Sequence, residues 1–174
     1  MTITADPAAV ATYWQRVRAV LPDLPSEAPE AWAFGATPEH ADSLLELVVS
    51  GVKTGTASSV WDYEASGDPM PQVGELSVIL DGRGEPRAVI RTTALQIVPF
   101  DEVSEEHAHA EGEGDRTLAA WREIHERFWR DHSEDPRGWT PDMPVLCERF
   151  TLVHPTRAEH PTRAEKEPSD GSGA

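Results

Sequence analysis

An α+β domain, built on a small mixed or antiparallel β-barrel flanked by α-helices, is predicted by three features of the sequence. Apolar residues recur at helical spacing in two segments before residue 50 and again across 117–131. Between them lie short runs rich in small and β-branched residues, separated by Gly, Asp, Ser and Pro. A last apolar run, 145–153, follows the third helical segment, so helices flank several closely spaced strands.

Asp6 before Pro7 is a helix start, with a side-chain acceptor at the N-cap and a proline at the first helical position. Val10, Tyr13, Trp14, Val17 and Val20 keep helical spacing until Pro22 stops the run. A proline-rich connector from Pro22 to Pro29 leads to a short strand near Trp32 and Phe34. Thr37-Pro38 repeats the start signal, Ala41, Leu44, Leu45 and Val48 give the second helix its apolar face, and Gly51 stands at the C-capping position. Small and β-branched residues from Lys53 to Ser59 predict a strand, with a helical turn over Trp61 to Ala65. Leu76 to Leu80 is the next strand, Asp81-Gly82-Arg83-Gly84 a turn, and Arg87 to Phe100 one bent strand or two, in a sheet connected mostly by hairpins. Helices are expected over Val103–Ala110 and Thr117–Asp131, and a final strand over Val145–Val153.

The predicted organisation is a helix and proline-rich connector over 1–31, one compact domain over 32–153, and a disordered tail over 154–174. The tail opens on His-Pro-Thr-Arg-Ala-Glu repeated letter for letter, then turns Glu-, Ser- and Gly-rich, with nothing to bury. The 174 residues suit one domain, and no apolar run approaches the ~20 residues of a bilayer span. The N-terminus has no basic region or apolar stretch of signal-peptide type, so a cytoplasmic location and no membrane partner are expected.

A formal charge of -16 disfavours broad, nonspecific binding to nucleic acid, while leaving room for a local basic cleft. The single cysteine, Cys147, excludes an intramolecular disulfide and a cysteine zinc centre, and reads as a buried strand thiol. The basic residues are thirteen Arg and two Lys; Lys166 lies in the tail, which leaves Lys53 as the lysine of the folded body. Lys53 is either a surface lysine in an Arg-biased composition or a chosen group.

The segment Gly51-Val52-Lys53-Thr54-Gly55-Thr56 is not a phosphate-binding P-loop, because a helix precedes the glycine and a strand follows. Gly55 stands between Lys53 and Thr56 as a natural bulge that would let both side chains reach one pocket. Glu111-Gly112-Glu113-Gly114-Asp115 sets three carboxylates in a flexible loop between two helices. They serve as a helix cap and solvated charges, or supply a carboxylate facing Lys53, where a desolvated Lys and Glu tune one another for proton transfer. The loop lacks the ligand order of a calcium-binding EF-hand, and neither a metal nor a cofactor is expected. Arg122 and His125, three apart on one helix, could clamp a phosphate and shuttle a proton, or be solvated and core-capping groups. His107 and His109 lie beside them.

Several separated motifs in order carry a family resemblance. Ser50-Gly51-Val52-Lys53-Thr54-Gly55-Thr56, then Pro71-Gln72-Val73-Gly74-Glu75-Leu76 and Val98-Pro99-Phe100-Asp101-Glu102-Val103, are followed by Ala110-Glu111-Gly112-Glu113-Gly114-Asp115, Trp121-Arg122-Glu123-Ile124-His125 and Glu148-Arg149-Phe150. From about Trp32 to Val153 the sequence resembles the ASCH domain family, in its longer bacterial subgroup. The resemblance implies a barrel of the PUA type, an RNA-binding module, with a cleft beside Lys53. It also implies two activities known in the family, ribonuclease action and hydrolysis of N4-acetylcytidine by a Lys, a Thr and a Glu. Lys53 and Thr56 match that Lys and Thr, and Glu111 is the chosen Glu, with Glu113 two residues on as the alternative.

The leading expectation is an RNA-directed ribonuclease. Lys53 would stabilise charge at phosphorus, Glu111 act as base toward a 2'-hydroxyl, Thr56 orient the substrate, and Arg122 or His125 assist the leaving group. Gly51, Thr54 and Glu113 would complete the substrate-binding lining. The second is an amidohydrolase on an acylated nucleoside, with Thr56 as nucleophile, Lys53 as its activating base and Glu111 assisting; the acidic composition favours a neutral substrate of this kind. The third is a module that binds RNA or a modified base without turnover. The expected partner is RNA or a modified nucleoside, and a homodimer through exposed Trp residues stays open.

Overall fold

A computed structural model describes residues 3–156. The elements run α1 (Pro7–Val20), β1 (Ala31–Trp32), α2 (Pro38–Val49), β2 (Gly55–Ser59), α3 (Val60–Ser66), β3 (Leu76–Leu80), β4 (Pro86–Pro99), a 3-10 turn (Phe100–Glu102), α4 (Glu105–Glu111), α5 (Leu118–His132) and β5 (Pro144–His154). The expected starts are realised as caps: the Asp6 side chain accepts from the Ala8 N–H at 3.0 Å, and Thr37 Oγ1 from the His40 N–H at 3.2 Å.

The α+β architecture holds. One mixed five-stranded sheet has the order β1-β3-β4-β5-β2, with β1 parallel to β3 and every other pair antiparallel. The expected closed barrel is not formed: β1 and β2 are opposite edges, and the sheet stays open between them. β1 has only two residues, and Gly35, at φ +74, turns the chain three residues after it. The sheet is also less hairpin-connected than expected. Only β3 and β4 are joined by a tight turn, whereas β4 reaches β5 through α4 and α5, and β2 pairs with β5 from far along the chain. Register shifts at Val89/Ile90 and Thr92/Ala94 bend β4, which stays one strand.

The centre of the sheet is covered on both faces. Val78, Leu80 and Val89 pack with Val10, Trp14 and Val17 of α1, while Ile79, Ala88 and Ile90 pack with Leu44, Leu45 and Val48 of α2. Alternate residues of a strand point to opposite faces, so α1 and α2 lie on opposite sides and the central stretches 78–80 and 88–90 read as unbroken apolar runs. A third cluster joins Trp121 and Trp129 of α5 to Phe100, Met143 and Val145. Of the six Trp, Trp14, Trp121 and Trp129 are buried and Trp32, Trp61 and Trp139 half-buried.

No helix among the described residues is long and apolar enough to cross a membrane. Cys147 is buried, and burial, with the nearby Glu111 charge, pushes its thiol up to about 12. His154, the expected first residue of the tail, closes β5 opposite Val89; the rest of that tail, from residue 157 on, lies outside the described residues.

Candidate functional site

Lys53 is delivered by the end of α2. Gly51 takes φ +77, its N–H donates to the Val48 carbonyl at 3.0 Å, and the Val52 N–H donates to the Leu47 carbonyl at 2.9 Å. This pair of bonds is the Schellman ending, which turns the chain sharply back and here carries Lys53 inward. Lys53 is 2% exposed and its Nζ lies 5.5 Å over the Phe34 ring. Thr54 then fixes the spacing, its N–H donating to the Ala110 carbonyl at 2.7 Å and its carbonyl accepting from the Phe150 N–H at 3.0 Å.

The partners of Lys53 come from the end of α4. Nζ donates to Glu111 Oε2 at 3.1 Å and to Glu113 Oε1 at 2.9 Å, with the Glu111 carbonyl at 3.4 Å. Gly112 between them has φ +73, and a Cβ there would stand 2.9 Å from both Cγ1 and the carbonyl oxygen of Val52, so the two chain ends meet at van der Waals contact. Glu111 is 0% exposed and is held from every side. Its Oε1 accepts from Trp121 Nε1 at 2.7 Å and lies 3.1 Å from His107 Nε2; its Oε2 lies 3.5 Å from His125 Nε2. His125 stacks on Trp121 at 4.2 Å, and its Nδ1, facing the Trp121 carbonyl at 2.9 Å, must be the donor because a carbonyl only accepts.

The electrostatics follow from this crowding. Burial disfavours the Lys53 ammonium, but Glu111 and Glu113 outweigh it and hold its pKa above the ordinary lysine value. Burial likewise opposes the charge of Glu111, yet Lys53 and His125, with the His107 bond, hold its carboxyl well below the usual carboxylate range. His125 is raised, because the Glu111 charge overcomes its own burial. The cluster therefore sets the Lys53 ammonium, and a His125 whose protonated form is favoured, against two carboxylates. Ligand-type atoms of Glu111, Glu113 and His125 lie within 4.8 Å of one another, and the ammonium bonded to both carboxylates is the cation that fills that space.

Thr56 lies on β2 opposite Glu148 of β5 and joins two spaces. One, about 70 Å³, is lined by Lys53, Glu111, Glu113, His125, Phe34 and Thr56; the other, about 600 Å³, opens between the sheet edges against Trp32, Thr56, Ser58, Tyr63, Glu75 and Glu148. A third space of about 300 Å³ continues the groove past Asp62 and Phe128. Among the described residues no arginine lines any of the three, while Glu30, Asp62, Asp68, Glu75, Glu134 and Glu148 do.

Lys53, Thr56, Glu111, Glu113 and His125 are thus brought together. Arg122 is not: it is exposed and its Nη2 donates to the Asp101 carbonyl at 2.8 Å, because one step along α5 from Trp121 turns it out of the cluster. Gly51 ends the helix, and a Cβ there would point into open space. Gly55 makes no bulge, the β2–β5 register being continuous; a Cβ there would press on the Glu148 carbonyl at 3.1 Å and His107 at 3.4 Å. Sequence reasoning missed Trp121, which reads as core until its N–H is seen on Glu111, and Glu148. The signal for Glu148 was present: it shares an alternating strand face with Leu146 and Phe150.

The sequence matches the family described as the ASCH domain over residues 30–154. Among solved structures, protein EF3133 from Enterococcus faecalis is 38% identical, with a TM-score of 0.75 over 84% of this chain and 88% of that one. An ASCH domain from Lactobacillus crispatus is 26% identical, with a TM-score of 0.76 over 88% of this chain and 99% of that one. No curated protein matches the sequence.

Proposed function

This chain belongs to the ASCH domain family, and from that premise we propose that it is an amidohydrolase of small acylated nucleosides of the N4-acetylcytidine type, working at Thr56 beside Lys53. The observation that carries this reading is the groove's charge. The Lys53 ammonium is already balanced by Glu111 and Glu113, and the rest of the lining is acidic with no arginine, a setting that repels a phosphodiester and accepts a neutral base. The ribonuclease expectation therefore ranks second.

The Thr56 hydroxyl attacks the acyl carbon. Lys53 is an ammonium with its N–H groups engaged, so it serves as a relay and not as the free base first expected. It takes the Thr56 proton as it gives one to Glu113, the net acceptor. Glu113 is the carboxylate suited to this, bonded to Lys53 and with a glycine on either side, whereas Glu111 is anchored by four groups. Collapse of the adduct breaks the C–N bond and returns the proton to the departing amine; water then hydrolyses the Thr56 ester by the same route.

One mass-spectrometric assay tests this, offering N4-acetylcytidine and a mixed RNA to wild type and to Thr56→Val in parallel. Conversion of the nucleoside by wild type and not by the variant is expected. Thr56-dependent RNA cleavage with the nucleoside untouched would put the ribonuclease reading first, and binding without product would favour a non-catalytic module.

A further inference from the structure

We propose that the Glu148 carboxyl group reads the polar edge of the substrate's base in the 600 Å³ cleft, pairing with a ring-nitrogen acceptor and the adjacent N–H. This deepens the acylated-nucleoside reading and rests on it. Glu148 is in direct register with Thr56 across the antiparallel β2–β5 pair. Side chains so paired leave the same face with Cβ atoms about 4.5–5.5 Å apart, and both line this cleft. A base held by Glu148 therefore has its exocyclic substituent within reach of the Thr56 hydroxyl. Trp32 and Tyr63 line the same cleft, and planar rings offer a base apolar faces to lie against.

The surroundings decide which protonation state does the pairing. Glu148 is 7% exposed, and its Oε1 accepts from Thr92 Oγ1 at 2.5 Å. The titratable groups around it are Glu75, Glu30 and Asp68 from the loops and Tyr63 from α3; Thr56 and Ser58 of β2, Ser77 of β3 and Thr92 of β4 bring no charge, and no cation among the described residues lines the cleft. Burial, and then repulsion from Glu75, raise its pKa above the ordinary carboxylate value against the pull of the Thr92 bond. A neutral carboxyl offers one donor and one acceptor side by side. An N4-acylated cytosine presents the complement, N3 as acceptor beside the N4–H. Donation to N3 also draws electron density from the ring and eases departure of the N4 amine, so the same contact orients the amide and favours its cleavage.

The experiment compares wild type, Glu148→Gln and Glu148→Ala in two arms: turnover of N4-acetylcytidine across pH, and calorimetric binding of cytidine, which requires no turnover. Glutamine keeps a donor beside an acceptor, so Glu148→Gln should keep kcat/KM within about threefold of wild type on the acidic plateau of the wild-type profile, whereas Glu148→Ala should raise KM and weaken cytidine binding by about tenfold or more. Wild-type kcat/KM should fall as pH rises through the raised pKa of Glu148, and the glutamine variant should lack that fall. If wild type turns nothing over but cytidine binding shows the same pattern, the reaction is wrong and the recognition stands. Turnover and binding unchanged in Glu148→Ala, or glutamine failing as badly as alanine, would overturn the recognition, as would a wild type that does not bind cytidine.

Discussion

The Lys53 ammonium and the Glu111 carboxylate meet at 3.1 Å with side-chain exposures of 1% and 0%, and Glu113 closes on the same ammonium at 2.9 Å. Removing one member of a buried ion pair leaves an uncompensated charge in a poorly solvating interior, at a cost of about 3–5 kcal/mol. Lys53→Met, which keeps the chain's bulk against Phe34, should lose stability on that scale in urea unfolding at pH 7. Adding Glu113→Gln should recover part of the loss. A loss under about 1 kcal/mol would mean that water already reaches the carboxylates.

Stability should decline on both sides of neutrality for separate reasons. Glu111 has a folded-state pKa well below its ordinary 4.5, so its contribution is complete above that value and is lost as pH falls toward the lower one. His125 has a folded-state pKa above its ordinary 6.5, so its contribution is complete below that value and disappears as pH rises through the higher one. Urea midpoints of wild type and His125→Gln from pH 3 to 9 check this. The variant's deficit should be largest on the acidic side of neutrality and should shrink in alkali; a constant deficit would show that His125 acts through packing alone.

Gly112 and Gly114 provide an internal comparison. A Cβ at Gly112 meets Val52 backbone and side chain at 2.9 Å, whereas at Gly114 the nearest atom is the Ile124 Cδ1 tip at 3.3 Å, and both sit at positive φ. Gly112→Ala should therefore cost more than Gly114→Ala, by about 1 kcal/mol or more, because backbone cannot yield as a side-chain tip can. Equal losses in thermal or urea unfolding would mean that φ alone sets the cost.

Arg122 is exposed and bonded to a backbone carbonyl away from the cluster. Arg122→Gln should change stability by no more than about 0.5 kcal/mol and leave nucleoside turnover unchanged. A large drop in kcat would restore Arg122 to the substrate site.

The elements were legible because their signals are local. Asp6-Pro7 and Thr37-Pro38 start α1 and α2, Gly51 ends α2, and the spacing of Leu118, Trp121, Ile124, His125 and Phe128 marks a face of α5, of which Trp121 and His125 are buried together with Trp129. The same spacing failed for Arg122, since being three residues from His125 says nothing about which side of the helix faces the core.

The sequence by itself determined that Lys53 would leave a helix end beside a strand and that acidic residues would crowd a glycine-rich loop. Only the tertiary structure decided that 58 and 60 residues of separation would vanish at one ammonium, and that Trp121 would donate to Glu111. Only it placed Glu148 beside Thr56 and left the sheet open between β1 and β2. Helix caps and periodicity are fixed by neighbours a few residues away, whereas strand pairing and buried charge compensation depend on which distant surfaces exclude water together.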